Sequence, residues 1–541
     1  LWLVKRLAIA AILVALAGFS NTAQLDFSEV AEASGINFVL ANAPSDKKFM
    51  IETMPGGVAV FDYNGDGRPD IYFTNGADIP SLKKTSPEYW NRLYRNDGGG
   101  HFTDVTEKAG VAGEGYSMGV AAADYDNDGH ADLFVAGVNR NLLFHNRGDG
   151  TFEDVTEKAG IKSGQWAVAA GWFDYDNDGK LDLFVVHYSG TPLQDRFCGN
   201  RDTGPRVYCN PKYYEPLAST LYRNRGDGTF EDVSAQTGIA KYAGRGMSVA
   251  FADYDGDGFQ DIFVTNDNMP NFLFHQLKNG TFEETALLEG VALTDRGKPV
   301  SSMGTDFRDA DNDGRPDIVF TALVGETFPF LKGTANGFLD NTYGSRLGPL
   351  SIGHSGWGVG LVDFDNDGWK DIFTANSNVN DRSEVTDSHA YKEANSFFLN
   401  QGGKFAEATP AALKACVKAH RGAAFGDFDG SGRMGVVVSA LGEKAELWRN
   451  NTQNAGNWID FRLRGIRSNR DGIGAVIRVN SQWNQMTSAV SYASTSLCPV
   501  HFGVGAATEL NDVEIHWPSG RVQRLSHLQV NRTMDVTEPE K

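Results

Sequence analysis

Gly119-Val120-Ala121-Ala122-Ala123 runs into Asp124-Tyr125-Asp126-Asn127-Asp128-Gly129-His130-Ala131-Asp132, and Leu133-Phe134-Val135-Ala136 follows. A small apolar run, an acidic turn with one glycine and an alternating apolar run read as a β-hairpin whose turn carries the carboxylates. Leu142-Leu143-Phe144-His145-Asn146 then gives a third strand, and Thr151-Phe152-Glu153-Asp154-Val155, after the turn Gly148-Asp149-Gly150, a fourth. The whole phrase recurs. Its loop reads DYNGDGRPD from Asp62, DYDNDGKLD from Asp174, DYDGDGFQD from Asp253, DADNDGRPD from Asp309 and DFDNDGWKD from Asp363, with a damaged seventh copy, DFDGSGRMG, from Asp427. One four-stranded unit cannot bury both faces alone, whereas a ring of them can. The expected fold is therefore all-β, a seven-bladed β-propeller over residues 24–452 followed by a small C-terminal β domain over 453–541. The seventh copy has its third strand at Glu446–Asn450 but no fourth-strand phrase after it, and Phe27-Ser28-Glu29-Val30 echoes that phrase at the other end of the array. Residues 25–36 are expected to complete blade seven, which would remove an open sheet edge.

In the loop D-x-D/N-x-D-G-x-x-D, side-chain oxygens stand at positions 1, 3, 5 and 9, and the glycine at position 6 permits a sharp turn. The candidate metal ligands are Asp62, Asn64, Asp66 and Asp70; Asp124, Asp126, Asp128 and Asp132; Asp174, Asp176, Asp178 and Asp182; Asp253, Asp255, Asp257 and Asp261; Asp309, Asp311, Asp313 and Asp317; and Asp363, Asp365, Asp367 and Asp371. Three or four carboxylates in so small a space repel one another without a cation, and an oxygen-only cage of flexible geometry suits calcium better than magnesium. Up to six structural calcium ions are expected. An EF-hand would need a bidentate Glu at position 12, where this chain has Phe73, Val135, Val185, Val264, Phe320 and Thr374. The seventh loop has Ser431 at position 5 and Gly435 at position 9, so two carboxylates are lost.

These repeats resemble the FG-GAP or VCBS repeats of integrin alpha propellers. From Asn457 onward the phrases Asn457-Trp458-Ile459, Arg467-Ser468-Asn469-Arg470-Asp471-Gly472-Ile473-Gly474-Ala475, His501-Phe502-Gly503-Val504-Gly505 and Val513-Glu514-Ile515-His516-Trp517-Pro518-Ser519-Gly520 resemble the ASPIC and UnbV domain. Together they resemble a bacterial branch of the cartilage-acidic-protein-like family. The resemblance implies an exported calcium-binding protein and supplies no reaction.

The remaining composition narrows the function. The net charge is −20, and about 25 of the 69 acidic residues lie in the repeated loop. No basic stripe is present to track phosphates, which argues against nucleic acid. Lys5 and Arg6 precede an apolar run from Leu7 to Phe19 and then small residues to Ala23, the layout of a signal peptide over residues 1–23. A retained membrane anchor is the alternative, although the run is short for a span. The expected location is secreted, periplasmic or cell-surface. Cys198 and Cys209 lie close together and are expected to form a disulfide, with a zinc site the alternative.

The long connections near residues 74–91, 187–219 and 375–395 fall on the face opposite the acidic loops, where a protein or glycan ligand is expected. Trp166, His187, Tyr188, Arg245, His354, Trp357, His420 and Arg421 sit near strand ends and are candidates for the channel mouth there. No nucleophile elbow, zinc signature or phosphate-binding glycine loop occurs, so a binding or adhesion module or a scaffold is expected rather than an enzyme. A polysaccharide-binding or polysaccharide-active protein is the alternative.

Overall fold

The computed structural model describes residues 24–200 and 204–540; the expected signal peptide lies outside them. Among the described residues seven sheets share one plan, in which each begins with an inner strand and steps outward through three antiparallel partners. Blade 2 shows it: Tyr116–Ala123, Asp132–Val138, Leu142–Asn146 and Phe152–Asp154 pair in order. The first two strands are buried throughout because both faces pack on neighbouring blades, whereas the fourth strand is half solvated. The inner strands neighbour one another in a closed circle, that of blade 7 (His420–Gly426) lying next to that of blade 1 (Val58–Phe61). The fold is an all-β seven-bladed propeller.

Blade 7 takes its outermost strand from the other end of the chain. Phe27–Glu29 pairs antiparallel with Glu446–Asn450, Phe27 opposite Asn450. Phe27 is buried and meets Phe397 of blade 6 at 4.7 Å between ring centroids.

A second device stitches blade to blade. The residue ending the Leu-x-x-Asn phrase of the third strand sends its side-chain amide to a carbonyl of the preceding blade: Asn146 Nδ2 donates to Tyr63 O (2.8 Å), Asn224 Nδ2 to Tyr125 O (2.8 Å) and Gln276 Nε2 to Tyr175 O (2.6 Å). Blade 7 repeats it with Asn450 Nδ2 to Phe364 O (2.9 Å), and Asn96 Nδ2 of blade 1 reaches Phe428 O of blade 7 (3.0 Å), so the clasp crosses the closure.

The C-terminal region forms two small sheets. Asn457–Arg464 pairs with Val500–Gly505 and Arg532–Thr537, and Val476–Val479 lies between Gln482–Gln485 and Val513–His516. Ile459, Phe461, Ile477, Phe502, Ile515 and Trp517 form the core between them. This region rests on the acidic-loop face of the ring, and its segment 486–498 enters the central channel. Thr495–Leu497 adds a fifth, parallel strand inside blade 1. The segment bonds to the inner strand of every blade. Val58 N–H donates to Ser494 Oγ (3.0 Å), Val120 N–H to Ala493 O (3.0 Å), Trp172 N–H to Ser488 Oγ (2.7 Å), Val359 N–H to Ser491 Oγ (3.1 Å) and Phe425 N–H to Ser496 Oγ (2.9 Å). Ser248 Oγ donates to Ser491 O (3.0 Å), and Ser491 N–H to Thr305 O (2.8 Å). Inner strands would otherwise face the axis with unpaired amides, and hydroxyl-bearing and small residues satisfy them in a narrow space. At Gly57 an added Cβ would collide with the carbonyl of Ala493, and at Gly119 it would collide with Val168 O of the next blade and crowd Ala493, so the channel wall leaves room for the plug.

Candidate metal loops and the opposite face

Each acidic loop joins the first and second strands of one blade. Its first carboxylate closes the turn on itself: in blade 2, Asp124 Oδ1 accepts from Asp128 N–H (2.9 Å) and Oδ2 from Gly129 N–H (2.7 Å). Gly129 has φ +101°, a conformation that favours glycine. The carboxylate at position 9 holds the hairpin to the third strand. Asp132 Oδ2 accepts from Tyr125 N–H (3.2 Å) and Oδ1 from Asn146 N–H (2.7 Å), and Asp70, Asp182 and Asp371 repeat the arrangement. Position 9 is thus a structural clamp as well as a candidate ligand, a role that spacing alone did not reveal.

The oxygens converge. Ligand atoms of Asp124, Asp126 and Asp128, of Asp174, Asp176 and Asp178, and of Asp253, Asp255 and Asp261 each lie within 4.8 Å of one another. Burial, aided in most cases by the neighbouring carboxylates, pushes these acids upward: Asp70 and Asp124 to about 8, Asp132, Asp174 and Asp367 to about 7, and Asp182, Asp317 and Asp371 well above the carboxylate range, while burial alone carries Asp261 to about 7 against the pull of His275. A divalent cation among them would reverse that shift. Asp176 Oδ1 and Asp311 Oδ1, both at position 3, are buried and accept no hydrogen bond. The convergent carboxylates and the orphaned oxygens of Asp176 and Asp311 fit a hard cation such as calcium, although a histidine nitrogen, that of His145 in loop 2 and of His275 in loop 4, also falls within two of the clusters.

The loops are not equivalent. A basic side chain from the third strand reaches several of them: His145 Nδ1 lies 3.2 Å from Asp132 and 3.4 Å from Asp126, Arg223 lies 2.6 Å from Asp176, and Lys332 pairs with Asp311 and Asp313. In blade 6 the equivalent residue is Leu399, and among the described residues none of the ion pairs involves Asp363, Asp365, Asp367 or Asp371, although three of these carboxylates are buried. Loop 6 thus lacks a direct ion pair, although the His501 imidazole and the Lys370 ammonium act on Asp363 from nearby and oppose the upward push of its burial. Loop 7, short of carboxylates, is covered instead: the Trp458 indole packs so closely on Gly432 that any Cβ there would overlap it.

The C-terminal region reaches most of these loops. Arg462 Nη2 donates to Gly67 O (3.2 Å), Arg470 N–H to Asn127 Oδ1 (2.7 Å), Asp471 Oδ2 accepts from Asp124 N–H (2.8 Å), and His501 Nε2 lies 2.8 Å from Asn366 Oδ1.

The opposite face differs from the expected open mouth. Trp166, His187, Tyr188, Trp357, His420 and Arg421 are all buried, and only Arg245 and His354 are partly exposed. Two elements close that end of the channel. The turn Met50–Thr53 packs across it, Met50 and Ile51 joining Trp166, Tyr188 and Trp357 in one cluster. From inside, Tyr492 at the plug tip donates to Met54 O (2.8 Å) and meets Trp357 edge-on at 4.9 Å. Strand-end position alone could not show that segments distant in sequence, Met50–Thr53 and the plug tip at Tyr492, would fill the space. The insertions then lie over this lid: Tyr208 Oη donates to Glu52 Oε2 (3.1 Å), Lys48 pairs with Asp381 (2.7 Å), and Cys198 and Cys209 form a disulfide.

The model of the FG-GAP-like repeat matches residues 62–135, 124–185, 194–264, 253–320 and 363–438, and that of ASPIC and UnbV matches 465–541. The chain belongs to the FG-GAP-like repeat family. Its repeats are joined to a C-terminal ASPIC and UnbV domain, the combination found in its relatives. It is similar to cartilage acidic protein 1 of Mus musculus, 26% identical over 508 residues, covering 90% of this chain and 74% of that one. For the Homo sapiens protein the identity is 28% over 60% of this chain and 48% of that one, and for Xenopus tropicalis 25% over 79% and 65%. Among solved structures, a lectin of Agrocybe aegerita described as recognising non-reducing terminal N-acetylglucosamine is 16% identical, covering 72% of this chain and 87% of that one at a TM-score of 0.39. A putative gluconolactonase is 10% identical, covering 79% and 93% at 0.34. No helix among the described residues is long and apolar enough to cross a membrane.

Proposed function

We propose that this protein is an exported calcium-binding propeller, with calcium in a structural role, that acts as a binding, adhesion or scaffold module for a protein or glycan ligand on the face opposite the acidic loops. The observation that supports the reading is the convergence of the loop carboxylates between two strands of one blade, with the oxygens Asp176 Oδ1 and Asp311 Oδ1 buried and without a hydrogen-bond partner. Asp62, Asn64 and Asp66 and their counterparts in loops 2–6 would hold the ions, with the position 9 carboxylates sharing their remaining lone pairs. A bound ion would cancel the repulsion and lock each first hairpin. The C-terminal region occupies the loop face and the channel, which leaves the opposite face, with its long insertions, for a ligand.

Glycan recognition draws support from Tyr213, 38% exposed, with the Arg196 guanidinium 4.4 Å and the Lys212 ammonium 5.2 Å from its ring centre. Export agrees with the disulfide, which persists in oxidising compartments. A glycan and peptide array probed with the calcium-loaded protein tests the reading. Saturable binding that an insertion mutant such as Tyr213→Ala weakens is expected; turnover of a bound polysaccharide, or binding only to the isolated C-terminal face, would overturn it.

A further inference from the structure

The seventh loop has lost two carboxylates, while the basic residues that serve such carboxylates elsewhere remain. In intact repeats these groups pair locally. The residue at position 7 pairs with the carboxylate at position 5: Arg68 with Asp66, Lys180 with Asp178 (2.6 Å) and Arg315 with Asp313 (4.0 Å). The third-strand residue just before the clasp faces the carboxylate at position 3. His145 lies 3.4 Å from Asp126, Arg223 2.6 Å from Asp176 and His275 3.9 Å from Asp255, and Lys332 pairs with Asp311. In blade 7 position 5 is Ser431, so Arg433 at position 7 meets no carboxylate there. Arg449, on the third strand, turns away from Asp429, and its Nε donates to Asn451 Oδ1 (3.1 Å). Among the described residues no ion pair involves Arg433, Arg449 or Asp429.

Those three side chains line one pocket of about 300 Å³, at the small end for ligand sites, in the seam where blade 7 meets blade 1. Its wall is apolar: Val30 and Ala33 just after the closing strand, Phe102 from the fourth strand of blade 1, and Phe428 and Leu447 from blade 7. Asp429 is the one carboxylate among the described residues that line it. The seam between blades 3 and 4 serves as an internal control. It has a pocket lined by Tyr175, Asp176 and Arg223, the counterparts of Phe428, Asp429 and Arg449, but there Arg223 and Asp176 neutralise each other. Arg433 is held in position, since its Nε donates to Asn450 O (3.1 Å), and Asp429 Oδ1 accepts from Ser431 N–H (3.2 Å).

We propose that the seam between blades 7 and 1 is a binding site for a free α-amino acid with an apolar side chain. Unpaired groups of both signs in one pocket call for a ligand that carries both. Arg433 and Arg449 take the carboxylate through charge-assisted hydrogen bonds, and Asp429 takes the ammonium. The apolar wall takes the side chain. A purely anionic ligand would stand against Asp429, and a cation would face two guanidinium groups. No residue of the long insertions lines the pocket, so the site is separate from the opposite face and stands whatever binds there. Because the wall includes Val30 and Ala33, a bound ligand also ties the closing segment to both blades.

The test is calorimetry on the calcium-loaded full chain with L-phenylalanine and L-leucine, and with three probes that each lack one feature. L-Phenylalaninamide lacks the carboxylate, 3-phenylpropanoate the ammonium and L-alanine the apolar body. At least one of the two amino acids is expected to bind at one site per chain and to raise the melting midpoint by mass action. Each incomplete probe should bind about tenfold more weakly or worse. Arg433→Gln, at a half-buried position, and Asp429→Asn, at an exposed one, should each weaken binding about threefold to tenfold, with melting curves in the absence of ligand checking that both fold. Arg223→Gln, in the control seam, should leave the affinity unchanged. Equal affinity for L-phenylalanine and 3-phenylpropanoate would remove the role of Asp429 and overturn the amino acid assignment. Binding that neither Arg433→Gln nor Asp429→Asn affects would put the ligand elsewhere and overturn the site. Absence of binding by both amino acids at millimolar concentration would overturn it as well, and none of these results touches the opposite-face reading.

Discussion

Tyr492→Ala removes the tip of the plug and is expected to loosen the ring from its axis outward. Tyr492 is fully buried, its ring meets Trp357 at 4.9 Å with planes at 75°, and its hydroxyl donates to Met54 O at 2.8 Å. Truncating a large buried aromatic costs about 3–5 kcal/mol, and the stranded Met54 carbonyl adds about 1–3 kcal/mol. The expected loss is therefore about 4–8 kcal/mol. At about 2 °C per kcal/mol, the large-domain end of the usual range, the midpoint should fall by roughly 8–16 °C. Tyr492→Phe keeps the ring and isolates the hydrogen bond, so its loss should be about 1–3 kcal/mol. Thermal melting of parent and both variants, with limited proteolysis of the segment 451–456 between the last blade and the C-terminal sheets, reads the effect. The order parent, Tyr492→Phe, Tyr492→Ala in falling stability is required. Melting of Tyr492→Ala within about 2 °C of the parent, a shift worth no more than about 1 kcal/mol, would show that the plug does not hold the ring.

Glu446 offers a pH-dependent test. Its carboxylate is fully buried; burial alone would raise its pKa, but His420 at 3.0 Å, Lys418 at 3.1 Å and the Cys416 thiol hold it down to about 2. A depressed folded-state value contributes stability that is complete above the unfolded value near 4.5 and is lost as pH falls toward 2. Glu446→Gln should lower stability by about 3–5 kcal/mol at pH 7 and flatten the decline between pH 4.5 and 2, measured by denaturant titration across that window. Deleting residues 24–36 should expose the outer edge of Glu446–Asn450 and the Phe397 ring, giving a lower midpoint and association at high concentration; a truncated protein that melts like its parent would contradict strand closure. Asp367→Ala in loop 6, which carries no direct ion pair, should lower the melting midpoint in calcium buffer more than Asp429→Ala in loop 7, where Trp458 already covers the turn.

The propeller was legible because its signal is local and repeated. The hairpin Gly119–Ala136 states its own strands, its turn and its oxygens within eighteen residues, and the remaining copies say the same. The closing strand at Phe27–Glu29 was legible for the same reason, since it repeats the phrase missing after Asn450. What escaped was the plug, because its partners are spread over the whole ring, one inner strand after another. Its traces are present nonetheless: the run Thr487-Ser488-Ala489-Val490-Ser491-Tyr492-Ala493-Ser494-Thr495-Ser496 is short-chained and rich in hydroxyls, and Gly57, Gly119, Gly304, Gly358 and Gly422 recur on inner strands. Small residues on both sides of one interface mark a close approach that neither side shows alone. The same omission made Trp166, Tyr188, Trp357 and Arg421 look like mouth residues, since only an empty channel would expose them. The double role of the position 9 aspartates was hidden because clamp and ligand demand the same carboxylate at the same place.

The most direct test of the account is the calcium content of the purified chain, measured by mass spectrometry of the metal after dialysis into calcium and again after chelation, with melting curves on both samples. The account predicts several ions per chain and up to six, a sharply lower midpoint once they are removed, and recovery when calcium but not magnesium is returned. No bound calcium, or only one ion, with identical melting in calcium and chelator, would contradict it.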